Sequence, residues 1–202
     1  ITGGLAHANV LASMIFAGMS GSAIADAGGL GAIEVKAMTN AGYDEGFSAA
    51  ITATSAGIGP IIPPSISFVI YGSMTSLSIL TLFMAGMVPG ILMGISLMIM
   101  CYIMAKRHPE IAPTSAKETW RAGLKAGIKA LPALGAPILL LGGMNNGAFT
   151  ATEGGVMASA YVIILSIIMR RFTFKAFWET LRASVTTSAM VLFMMGAGQI
   201  FN

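Results

Sequence analysis

The oxygen-rich, helix-breaking stretch Thr54 to Ser65, TSAGIGPIIPPS, is the first place in this chain where chemistry can be built. It lies inside the run from Gly46 to Ala105, which contains no Asp, Glu, Lys or Arg. Pro60, Pro63 and Pro64 have no backbone N–H and their rings clash with a preceding helical turn, while Gly57 and Gly59 loosen the backbone at the same point. A helix must break here. In hydrocarbon the freed N–H and C=O groups need protein, water or an ion as partner. Carbonyl oxygens of the break, with the hydroxyls of Thr54, Ser55 and Ser65, suit a small hard cation, and a half-helix N-terminus suits an anion. A proline kink that only shapes packing is the other reading.

The second stretch is Ser20-Gly21-Ser22, followed by Ala23 and by Asp26 in an otherwise apolar segment. At membrane depth a carboxylate costs about 2.5–3.5 kcal/mol on insertion scales, so Asp26 is expected to face protein, water or a cation. It can also cap the N–H groups of a helix starting after the turn. Gly18-Met19-Ser20-Gly21 further matches a GxSG pattern of intramembrane serine hydrolases, with His7 as the available base. That chemistry requires a base within hydrogen-bond reach of Ser20.

The elements that must position these groups are membrane helices. With 55% hydrophobic residues, 9% charged residues and a mean hydropathy of +0.82, the chain lies far from soluble composition, where about a quarter of residues are charged. Its basic residues lie in short clusters between apolar runs and not in a stripe interleaved with aromatics, which excludes nucleic-acid binding. The single Cys101 gives neither a disulfide framework nor metal-ligand spacing. No phosphate-binding GxxxxGK loop is present. Without an initial Met, and ending within an apolar segment at Asn202, the sequence reads as an internal piece of a longer protein.

Residues 1–76 are expected to form a first unit. Arms at 9–19 and 23–35 around the Ser20–Ser22 tip are each too short to cross a bilayer core that needs about 20 residues, which favours a re-entrant helical hairpin over a single tilted span. A solvated loop from Glu34 to Glu45 and the broken helix 46–72 complete the unit. Residues 77–129 read as a transmembrane helix kinked at Pro89, with Gly86, Gly90 and Gly94 forming one smooth packing face, and then a basic interfacial helix. In the latter, Trp120, Leu124 and Ile128 alternate with a row of Lys117, Arg121, Lys125 and Lys129 that suits anionic membrane lipid. Residues 130–202 hold further spans, with Thr150 and Glu153 spaced as a capping box and an amphipathic basic stretch from Arg170 to Arg182 before a last span beginning near Ala183. If the hairpin returns to its own side, the loops at 34–45, 106–129 and 170–182 share a side, while the turns at 73–76 and 145–153 carry no Lys or Arg. By charge bias that basic side is cytoplasmic.

From Gly3 to Gly72 the chain resembles the large membrane subunit of tripartite ATP-independent periplasmic (TRAP) transporters. The resemblance rests on SGSAIADA at Ser20 to Ala27, GYDEGF at Gly42 to Phe47 and IGPIIPPS at Ile58 to Ser65. FTATEGG at Phe149 to Gly155 is similar to that family's FTPTEAA, with Ala151 in place of proline and glycines in place of alanines. The resemblance implies an all-α integral membrane fold: a re-entrant hairpin plus a discontinuous transmembrane helix, one half of an inverted-repeat elevator whose second repeat lies beyond Asn202.

It also implies secondary active import of an organic acid, a C4-dicarboxylate or a sialic-acid-like carboxylate, coupled to a sodium gradient, and no enzyme. The coupling sodium would be held by Ser20, Gly21, Ser22, Thr54, Ser55, Gly57 and Gly59. The substrate would lie against Ser22, Ala23, Asp26, Pro60, Pro63, Pro64 and Ser65. The implied partners are a small TRAP membrane subunit and a periplasmic substrate-binding protein, in a bacterial or archaeal cytoplasmic membrane. A carrier independent of a binding protein, or a passive channel, is the alternative. The intramembrane protease using Ser20 is more remote.

Overall fold

The computed structural model describes residues 2–113 and 120–199, with side chains for all of these except 120–130, 133, 198 and 199. Among the described residues every regular element is helical: α1 (Gly4–Ser20), α2 (Ala23–Ala25), a π segment (Asp26–Gly31), α3 (Ala32–Asn40), α4 (Glu45–Ala56), α5 (Ile66–Thr75), α6 (Ile79–Arg107), α7 (Trp120–Asn145), α8 (Ala151–Ile168) and α9 (Phe174–Gln199). The chain is an all-α protein over these residues.

Local chemistry sets the boundaries. Gly21 takes a left-handed conformation at φ 58° and its N–H closes on the Ala17 carbonyl, which ends α1 where a residue with a Cβ would be strained. Asp44, Ser65 and Ser78 each accept a hydrogen bond from the backbone N–H three residues on, opening α4, α5 and α6. Thr150 and Glu153 form the capping box expected from their spacing, with each side chain reaching the other's backbone N–H.

Helix α1 packs between α4 and α6, the π segment and α3 lie against α4, and α7 pairs with α8. The core beneath α1 is built from Ala6, Val10, Met38, Tyr43, Ile51, Ile58, Cys101 and Ala105. In α6 the buried positions include Gly86, Gly90 and Gly94, whereas Met84, Val88, Leu92, Ile95 and Ile99 face outward. Small residues inward and large apolar residues outward invert the soluble pattern and suit contact with lipid. Helices α6 and α8, 29 and 18 residues long, are each long and apolar enough to cross a membrane.

The three glycines of α6 do pack closely. A Cβ at Gly86 would lie 2.6 Å from the Ile61 carbonyl oxygen and would also strike the Phe68 ring, and one at Gly94 would strike Met14. Ile61 belongs to the break, so α6 backs the irregular backbone directly. Overpacking of this kind costs typically about 1–3 kcal/mol. Gly86→Leu is therefore expected to lower the thermal unfolding midpoint, measured by tryptophan fluorescence in detergent, whereas Gly28→Ala, where a Cβ meets nothing within 4 Å, leaves it near wild type.

Several expectations are corrected. The arms flanking the tip are longer than read from composition, because α1 begins at Gly4 and the return helix continues to Asn40. Glu34 is not on a solvated loop: it lies in α3, and both its carboxylate oxygens are buried. Asp26 does not cap the return helix. Ser22 does so by accepting from the Ala25 N–H, while Asp26 opens the π segment and is 1% exposed. No separate interfacial helix ends at Lys129, since α7 runs unbroken from Trp120 through Pro132 and Pro137 to Asn145. Lys117 of the basic row lies outside the described residues. Likewise α9 passes through Ala183 without a boundary.

Candidate functional site

The chain brings the hairpin turn and the helix break into contact. A Cβ at Gly21 would lie 2.5 Å from the Pro64 carbonyl oxygen and 3.2 Å from the Ile66 nitrogen. From the other side, a Cβ at Gly59 would lie 3.2 Å from the Ser22 carbonyl carbon and 3.3 Å from the Ala23 nitrogen. Two glycines, one on each partner, thus let backbone meet backbone. Gly18 in the last turn of α1 adds a looser approach to the Pro63 carbonyl, at 3.7 Å.

Within this contact the backbone supplies more acceptors than donors. Helix α4 ends at Ala56 and α5 starts at Ile66, as the prolines required. The turns between them engage the carbonyls of Thr54, Ser55, Ala56 and Ile58 with the N–H groups of Gly57, Ile58, Gly59, Ile61 and Ile62. Ser65 closes the far end, its hydroxyl donating to the Pro60 carbonyl at 2.5 Å while its oxygen accepts from the Phe68 N–H. The Pro63–Pro64 peptide is cis. The carbonyls of Gly57 and Gly59 take no part in these turns. On the hairpin side, Ser20 and Ser22 bond only each other and the Ala25 N–H, at 3.4–3.5 Å, so their hydroxyls are weakly held. Such an arrangement can coordinate a small cation by oxygen atoms and can present the N-terminus of α5 to an anion.

Of the residues singled out in the sequence, Gly21, Ser22, Ala23, Gly59, Pro63, Pro64 and Ser65 meet at this contact, Ser20 is bonded to Ser22 within the turn, and Gly57 and Pro60 lie in the same break. Thr54 and Ser55 do not bring their hydroxyls to it. Thr54 is exposed and donates to the Ala50 carbonyl of its own helix at 2.7 Å. Ser55 is buried on the opposite face of α4, against α1. Asp26 is likewise buried, at the start of the π segment that follows the turn.

Ser55 belongs to a polar cluster that sequence reasoning missed. Asn9 donates to Thr52 Oγ1 at 2.7 Å and accepts from the Ser55 hydroxyl at 2.9 Å, and Ser13 and Ser55 lie 3.0 Å apart through their hydroxyl oxygens. All four side chains are buried. They tie the first arm of the hairpin to the first half of the broken helix. A signal existed in the spacing: Asn9 and Ser13 are four apart and Thr52 and Ser55 three apart, so each pair shares one helix face.

The serine-hydrolase arrangement is not formed. His7 and Ser20 occupy opposite ends of α1, about 20 Å apart at 1.5 Å per residue, and His7 Nδ1 bonds the Gly3 carbonyl.

Comparison with known proteins agrees with the motifs. The family model for the DctM component of the tripartite ATP-independent periplasmic transporter matches residues 1–202. The sialic acid TRAP transporter large permease protein SiaM of Vibrio cholerae is 41% identical over 202 residues, covering 100% of this chain and 47% of that protein. The 2,3-diketo-L-gulonate TRAP transporter large permease protein YiaN of Escherichia coli is 37% identical over 98% of this chain and 46% of its own length. The C4-dicarboxylate TRAP transporter large permease protein DctM of Pseudomonas aeruginosa is 37% identical over 100% of this chain and 47% of its own length. The chain spans about half the length of these curated relatives. These proteins are named as transporter permeases, not enzymes. With the family model matched from end to end, this chain belongs to the DctM component family of tripartite ATP-independent periplasmic transporters.

Proposed function

We propose that the whole protein imports an organic acid across the cytoplasmic membrane, driven by a sodium gradient, with this chain supplying one of two transport repeats. The observation that carries the reading is the seating of the Gly21 turn against the Pro64 carbonyl and of Gly59 against Ser22 and Ala23. A hairpin turn facing a broken helix is the arrangement by which secondary transporters place a site within the membrane. Sodium takes the hydroxyls of Ser20 and Ser22 and the free carbonyls of Gly57 and Gly59. The substrate carboxylate lies beside Ser22, Ala23 and the Pro60 to Ser65 segment, at the start of α5. The hairpin is re-entrant and moves with the broken helix as one elevator body.

The similar proteins are named for sialic acid, diketogulonate and C4-dicarboxylates, all of them carboxylates, which supports an organic acid as cargo. A small TRAP membrane subunit and a periplasmic binding protein complete the transporter. The test is uptake of radiolabelled sialic acid and succinate into proteoliposomes holding the full-length protein with its small subunit. Uptake of one of them is expected only with the binding protein outside and an inward sodium gradient. Uptake that persists without either would identify a channel or an independent carrier.

A further inference from the structure

The basic stretch from Arg170 to Arg182 has no part in the hairpin–break contact. Its cations outnumber its acids, with Arg170, Arg171, Lys175 and Arg182 against Glu179 alone, and Glu179 is taken by Lys175 at 4.0 Å. Arg170 and Arg171 are exposed, and among the described residues neither forms an ion pair. Helix α8 ends at these two arginines in a Schellman turn: the Arg170 N–H donates to the Ile167 carbonyl, and the Arg171 N–H to the Ser166 carbonyl. Arg170 takes a left-handed conformation there, at φ 53°, where glycine is the ordinary occupant because a Cβ is strained. That strain favours a use for the side chain outside the turn.

Beside the turn lies an apolar cavity of about 660 Å³, walled by α8 on one side and α9 on the other. The ring of Phe172, the residue after Arg171, packs on that of Phe177 with centroids 5.8 Å apart, and Phe177 lines the cavity together with Leu165. The basic turn therefore stands at one end. Along α8 the cavity reaches Ala158, and from there to the end of the helix at Ile168 the rise is about 15 Å, half of a hydrocarbon core of about 30 Å. Its lining also includes Met19 near the end of α1 and Pro64 of the helix break.

Water suits this space poorly. Ser159 and Thr180 turn their hydroxyls to the Gly155 and Ala176 carbonyls of their own helices, at 2.8 Å each, whereas a buried water needs about two to four polar partners. Val162 and Leu181, on the two walls, are 49% and 43% exposed, so the space is reached from outside the helices.

We propose that this cavity holds one acyl chain of an anionic phospholipid whose phosphate is bound by Arg170 and Arg171. Charge complementarity at one end, apolar walls and a depth equal to one leaflet select that occupant. The positive-inside bias puts the basic turn at the cytoplasmic surface, where basic pockets between membrane helices bind anionic headgroups. The seated chain would touch Met19 and Pro64, one from each of the two segments that meet at the hairpin–break contact.

The site is tested by native mass spectrometry of the full-length protein with its small subunit, released from detergent in the presence of dioleoyl phosphatidylglycerol or dioleoyl phosphatidylcholine. Wild type is expected to retain one phosphatidylglycerol and not phosphatidylcholine. Arg170→Gly combined with Arg171→Gln relieves the strained turn and removes two cations, and should retain phosphatidylglycerol at least about tenfold more weakly. Ala158→Phe fills the cavity and should lose the lipid with both arginines in place. Should Ala158→Phe not fold, Leu181→Trp obstructs the same space from a half-exposed position on α9. No retained lipid in wild type would mean that other protein covers the cavity, and would overturn the proposal. So would equal retention of the two lipids, or wild-type retention in the arginine variant. Loss in the arginine variant with wild-type retention in both cavity variants would place the headgroup on an open basic surface and overturn the assignment of the acyl chain.

Discussion

Gly21→Val is expected to abolish uptake while leaving a protein that inserts and purifies. Gly21 carries a left-handed backbone at φ 58°, which costs an L-residue about 1–2 kcal/mol, and a β-branched one more. Its larger effect is on contact. The atom that an added Cβ would meet is the Pro64 carbonyl oxygen at 2.5 Å, with the Ser65 Cα at 3.2 Å behind it. These are backbone atoms and cannot rotate away. The turn must back off from the break, opening the place where the site oxygens converge. Displacement by about an ångström is enough to lose a coordinated geometry. Uptake should fall at least about tenfold, as a 1.4 kcal/mol loss at the site suffices for that factor. Even Gly21→Ala should be strongly impaired. Gly28→Ala, seven positions on and clear of neighbours, should transport normally. Equal activity in Gly21→Val and wild type would remove the contact from the account.

The second large effect is on stability. Asn9→Leu removes the donor to Thr52 Oγ1 and one acceptor of the Ser55 hydroxyl, which keeps the Thr52 carbonyl at 3.1 Å, in a cluster where all the side chains are buried. Each polar group left unpaired costs about 1–3 kcal/mol, so the single variant is expected to be among the least stable in this region. Adding Thr52→Val to Asn9→Leu should recover part of the loss, since removing both partners of a buried hydrogen bond is nearly neutral compared with orphaning one. Thermal unfolding of the two single variants and the double variant measures this as a coupling energy. Strict additivity would mean that the Asn9–Thr52 bond contributes nothing.

How much of this was legible in the sequence follows the range of the interactions involved. The break at Ala56 to Ile66, the Ser20–Ser22 turn and the Thr150–Glu153 cap are set by residues within a few positions of each other, and each was readable from residue type and spacing. The continuity of α7 was not. A change from basic to apolar composition near Lys129 looked like a boundary, but helix propensity is nearly indifferent to whether a position holds Lys, Leu or Ala, and the helix continues past Gly127 and Pro132 on either side of it. Glu34 read as solvent-facing because it neighbours Lys36, and only the packing of the return helix on α4 buries its carboxylate. The Asn9, Ser13, Thr52 and Ser55 cluster joins residues more than 40 positions apart. Its members looked like ordinary small polar residues in apolar helices. The contact of Gly21 with Pro64 was reached only through family resemblance, because nothing local in either stretch specifies the other.

That the hairpin turn and the broken helix jointly hold the coupling sodium is the central claim. It is tested most directly by the sodium dependence of uptake in Ser22→Ala combined with Gly57→Val, against wild type, in proteoliposomes containing the full-length protein, its small subunit and saturating binding protein. The account predicts a rise of at least about tenfold in the sodium concentration for half-maximal uptake, equivalent to losing about 1.4 kcal/mol of ion binding. An unchanged sodium activation curve at reduced or normal rate would contradict it and would place the coupling ion elsewhere in the protein.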